Sequence, residues 1–124
     1  MKGPVLCGVD ASRTADGAVH VARELAERYD LPLVYVHVFD GHSRTDAVRR
    51  VLRDAAGAAD ADVAIEAGHP ADRLVELARA RDAAFLVVGN HGPRASALGS
   101  ISADVSRRAP CPVIVVPPTA GVGA

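Results

Sequence analysis

Three closely spaced glycines, Gly89, Gly92 and Gly99, the last followed by Ser100, stand between an apolar run and a helix-like stretch. A glycine-lined approach to a helix N-terminus presents unpaired N–H groups and partial positive charge, which suits a phosphate or another anion without any lysine. A second polar group, Asp10, Ser12 and Thr14, follows the first apolar run of the chain. The same glycines also suit a tight turn with Ser100 as a helix N-cap, and the residue types by themselves leave the two readings open. Neither G-x-G-x-x-G nor G-x-x-x-x-G-K-[ST] occurs, so the dinucleotide fingerprint and the P-loop are excluded as motifs.

The other chemistry-bearing residues form no constellation. His20, His42 and His69 lack metal-ligand spacing, His37 lies in a strand-like run as a hydrogen-bonded core histidine, and His91 sits in the glycine loop without a second partner at defined spacing. Cys7 and Cys111 are far apart and show no CxxC or Cys/His pattern, which reads as two small hydrophobes in a reducing compartment. Lys2 is the only lysine, so no Schiff-base lysine is expected. No carboxylate pair or activated nucleophile marks a catalytic or metal site.

The 124 residues, 49% apolar, fit one domain. A net charge of −1, with basic residues scattered rather than clustered, argues against nucleic acid as a partner. No apolar run approaches the roughly 20 residues needed to cross a bilayer. Met-Lys-Gly-Pro leads directly into a strand-like stretch without a charged-then-apolar leader, so a cytoplasmic location without membrane contact is expected.

Periodicity supplies the elements that would position these residues. Val5 to Val9 reads as a buried strand. Ala18, Val21, Ala22, Leu25, Ala26 and Tyr29 form one helical stripe that stops before Asp30, and Leu33 to Phe39 is a second strand. Val48, Val51, Leu52 and Ala55 mark another helix, and Val63 to Ala67 a third strand. A helix opens at Pro70, Ala84 to Val88 is a fourth strand, a short helix begins at Ser100, and Pro112 to Val116 ends the series. Strands alternating with helices through short connections imply right-handed βαβ units, hence a doubly wound, Rossmann-like α/β domain with a five-stranded, mainly parallel sheet. The domain is expected over residues 1–118, with 119–124 a frayed tail.

Six segments in this order resemble the universal stress protein family. They are Val5 to Ser12, Leu33 to Val38, Gly68-His-Pro70, Leu86 to Gly92, Leu98-Gly-Ser100 and Arg108 to Val116. The resemblance implies the strand order 3-2-1-4-5, with the first and fourth strands side by side. It also implies an adenine site in which Asp10 and Val38 contact the base while Gly89, Gly92, Gly99 and Ser100 hold ribose and phosphates. The implied ligand is ATP or AMP, with magnesium only alongside a triphosphate. In nucleotide-binding members nine residues separate the second and third glycines, whereas six, 93–98, separate Gly92 from Gly99. Three residues fewer shorten the loop's reach by roughly 10 Å, which predicts weak phosphate clamping.

The last strand, Val113, Ile114, Val115 and Val116, would form a sheet edge in that order, and related proteins pair such edges in a homodimer. Three functions are carried forward. One is a stress-response module that binds an adenine nucleotide weakly in a regulatory role. The second is a dimeric interaction protein that has lost nucleotide binding, and the third, ranked last, is a slow ATPase.

Overall fold

The computed structural model describes residues 2–9, 17–39, 61–90 and 99–117. Within them the chain runs β1 (Val5–Gly8), α1 (Gly17–Tyr29), β2 (Leu33–Phe39), β3 (Ala61–Ala67), α2 (Pro70–Ala80), β4 (Phe85–Gly89), α3 (Ser100–Arg108) and β5 (Val113–Val116). All five strands are parallel, in the order β3-β2-β1-β4-β5, as the resemblance implies. The helix expected between Val48 and Ala55 and the tail after residue 118 lie outside the described residues.

β1 is apolar throughout because both faces of a central parallel strand are covered. Val5 and Cys7 pack with Leu33, Tyr35 and Val87 beneath α1, while Leu6 packs with Val34, Val36 and Leu86 on the opposite face, beneath α2 and α3. The α1 stripe is rich in alanine, and Ala18, Ala22 and Ala26 are all buried against the sheet. α2 buries Ala71, Leu74, Val75 and Ala78, apolar residues set three and four positions apart on one face, with Pro70 in its first turn. Burial pushes the Tyr35 phenol up, and the nearby Cys7 adds to this while Arg23 opposes it.

Two helices end in the same way. Asp30 follows α1 at φ 54° and Asp82 follows α2 at φ 51°, each a left-handed residue. The next N–H then reaches back, Leu31 to the Ala26 carbonyl and Ala83 to the Ala78 carbonyl, both at 2.9 Å. This closure satisfies orphan carbonyls and turns the chain directly into the following strand. β3 begins at Ala61 rather than Val63, because Ala61 pairs with Leu33 and the ladder of β2 sets the length of its neighbour.

Candidate functional site

β1 lies between β2 and β4, with α1 on one face of the sheet and α3 on the other, which is the switch point where a crevice forms beyond the carboxyl ends of the strands. A cavity of about 300 Å³ occupies that position. Its apolar side is built by Val36, Val38 and Val88 from the sheet and by Pro70 and Leu74 from α2. Gly8, Val9, His37 and Gly89 border the strand ends, and Gly99, Ser100, Ile101 and Ser102 bring the start of α3 to the opposite side. Gly8 keeps the cavity open at its base, since a Cβ there would stand 3.3 Å from Leu74 Cδ1 and 3.4 Å from Val88 Cγ1.

Four of the residues singled out in the sequence, Val38, Gly89, Gly99 and Ser100, meet at this cavity. Asp10 and Gly92 lie outside the described residues, as do Ser12, Thr14 and His91. Ser100 is not the helix cap. Gly99 holds that position, at φ −69° and ψ 160°, without a side-chain cap bond, so the first N–H groups of α3 begin the helix facing the cavity uncapped.

The alternation of backbone direction along β2 defines the other polar element. The Val9 N–H donates to the Val36 carbonyl at 2.8 Å, so Val36 and Val38 present their peptide groups toward β1. The Gly68 N–H donates to the Phe39 carbonyl at 2.8 Å, confirming that His37 and Phe39 face β3. The β1–β2 ladder ends at the pair Gly8 and Val36, two residues before Val38. The Val38 main chain therefore projects past the last pair, beside the cavity.

Asn90 and Ser102 carry no role in the sequence reading, and His37, expected as a hydrogen-bonded histidine, finds its partner here. Asn90, which is buried, accepts the Gly99 N–H on Oδ1 at 2.9 Å and so ties together the two ends of the 91–98 loop. Ser102 donates from Oγ to the Gly89 carbonyl at 3.1 Å, anchoring α3 to the end of β4. Its signal was legible as a polar residue on the apolar stripe shared with Val105, both buried. His37 Nδ1 lies 3.1 Å from the Val9 carbonyl; since a carbonyl only accepts, Nδ1 carries the proton.

Comparison with known proteins agrees with this architecture. A family model described as the universal stress protein family matches residues 1–52 and 44–117. The universal stress protein Rv3134c of Mycobacterium tuberculosis is 30% identical over 132 residues, covering 93% of this chain. The chain spans about half, 48%, of that relative's length. Among solved structures, a universal stress protein in complex with cAMP is 34% identical with a TM-score of 0.77, covering 92% of this chain and 95% of its own. A protein of the same family from Burkholderia pseudomallei is 30% identical with a TM-score of 0.67, covering 93% of this chain and 96% of its own.

Proposed function

This chain belongs to the universal stress protein family, and we propose that it is a stress-response module that binds an adenine nucleotide weakly, in a regulatory role, at the crevice beyond β1, β2 and β4. The observation that carries the reading is the cavity itself. Its volume, about 300 Å³, sits at the lower end of the range for small-molecule sites, and it pairs an apolar face with uncapped N–H groups at a helix start. Val36, Val38, Val88 and Leu74 suit the face of a base, and Ile101, 41% exposed at the rim, is an apolar side chain that a bound ligand would cover. The Val38 main chain suits the hydrogen-bonding edge of a base, and Asp10, which follows β1 in the sequence, would contact the base as well. Gly89, Gly92, Gly99 and Ser100 would hold ribose and phosphate. The complex of a 34% identical relative with cAMP supports an adenine monophosphate as the ligand class.

The outer phosphates add little in this reading. The Asn90–Gly99 bond closes the base of a loop that has six residues between Gly92 and Gly99. A pinned base cannot lend the reach that the missing residues would supply. Adenosine, AMP and ATP with magnesium should bind within about tenfold of one another, or roughly 1.4 kcal/mol, by calorimetric titration. ATP binding a hundredfold tighter than adenosine would overturn the weak clamp. Binding of none of the three would favour the second reading, a dimeric interaction protein without nucleotide. Magnesium enters only with a triphosphate, and no turnover is proposed.

We further propose that β5 pairs with a second copy along its open edge, using Val113 to Val116, and that the protein works in the cytoplasm. Support for the edge is its position at the end of the sheet order. No helix among the described residues is long and apolar enough to cross a membrane.

A further inference from the structure

In a parallel pair that continued one step further, the Val9 carbonyl would accept the Val38 N–H. That bond would create a Val9–His37 register pair, yet the register ends at Gly8 and Val36. The Val9 N–H still keeps its partner, the Val36 carbonyl, at 2.8 Å, so the two strands have not simply drifted apart at this point. Only the carbonyl has been diverted, and its partner is His37 Nδ1 at 3.1 Å. Both neutral imidazole protonated at Nδ1 and imidazolium donate from that atom, so the contact does not depend on the charge of the ring.

We infer that His37 is a positioning residue that ends the β1–β2 ladder early: by occupying the Val9 carbonyl it leaves the Val38 N–H available to an acceptor on the base of a bound nucleotide. The inference rests on the nucleotide reading above for the identity of the ligand, but not for the open ladder. The cavity borders Val9, His37 and Val38 together, so the diverted carbonyl, the residue that diverts it and the exposed peptide edge all lie at one place. Without the imidazole, the carbonyl would take the nearest backbone donor, and the Val38 edge would zip shut.

The test uses wild type, His37→Leu and His37→Asn, because the Asn amide nitrogen reproduces the position of Nδ1 whereas Leu offers no donor. Residue-resolved hydrogen exchange by NMR needs no ligand. The Val38 amide should exchange at least tenfold faster than the Val36 amide in wild type, slow by at least tenfold in His37→Leu, and return toward the wild-type rate in His37→Asn. AMP and adenosine should each bind about tenfold more weakly to His37→Leu and recover in His37→Asn, since it is the base that is read. A Val38 amide as protected as Val36 in wild type would overturn the proposal, even if neither variant folds. Equal affinity of His37→Leu and wild type would also overturn it. The expected exchange pattern with no ligand bound by any variant would refute the nucleotide reading and uphold the open ladder.

Discussion

Gly68 turns the chain between β3 and α2 at φ 133°, a conformation that L side chains rarely adopt. A Cβ there would also meet Arg73 Cδ at 3.1 Å and Cγ at 3.2 Å, but that side chain has room to move because it is partly exposed. Backbone strain therefore dominates, and Gly68→Ala should lower stability by about 1–3 kcal/mol in urea unfolding. A loss under about 0.5 kcal/mol would mean that the turn relaxes. Gly68 was legible in the sequence as part of Gly68-His-Pro70, and the positive φ supplies the reason it is a glycine. Asn90 shows the opposite case: nothing in its neighbours announces that its side chain will reach Gly99, nine residues away.

Between elements, α2 and α3 are joined on the surface by Arg108, which donates to Asp72 at 2.8 Å and to Asp104 at 2.9 Å. Arg107 also donates to Asp104, at 3.2 Å. Desolvation would raise the Asp104 carboxyl, but the hydrogen bonds from Arg108 and Arg107, with their charges, outweigh it and hold the group below its ordinary value. A depressed carboxylate contributes stability above its unfolded-state pKa, and that contribution is lost as pH falls through the folded-state value. Wild type should therefore exceed Asp104→Asn in urea midpoint near neutral pH, with the gap narrowing as pH falls through and below the ordinary carboxylate range and shrinking in high salt. A gap that persists in acid would assign the difference to packing. The helices themselves were readable, α2 from its apolar spacing and α3 from its start at Ser100, whereas this ion cluster was not, because Asp72 and Arg108 are 36 residues apart.

For the whole molecule, the open question is what covers the β5 edge. Leu86 N–H donates to the Pro112 carbonyl and Asn90 N–H to the Val116 carbonyl, so the peptide groups of residues 112, 114 and 116 face β4. Those of Val113 and Val115 face outward. Ile114 is a poor probe of the edge, since its side chain packs against the core beneath α1. Val115→Pro instead removes an outward N–H while leaving the ladder to β4 intact, and proline is tolerated on edges for that reason. Sedimentation should show a dimer for wild type and a monomer for Val115→Pro, with circular dichroism unchanged. A wild-type monomer would remove the edge-pairing proposal, and a dimeric variant would move the interface elsewhere.

Hydrophobic period and turn residues act over a few positions and report local structure directly, so the fold class and the run of strands and helices can be read from the order of the amino acids. The first strand, read as Val5 to Val9 and found over Val5–Gly8, the apolar face of α2 and the start of α3 at Ser100 were all legible in this way. Strand order was legible only through the family resemblance, and so was Val38 as a residue of the crevice. What tertiary structure alone decided is the chemistry of the crevice: which carbonyl His37 takes, where Asn90 and Ser102 anchor the loop ends, and where the β1–β2 ladder stops. Each of these is a contact between strand or helix ends that only folding brings together, and a hydrogen bond depends on distances and directions in space that residue order does not encode.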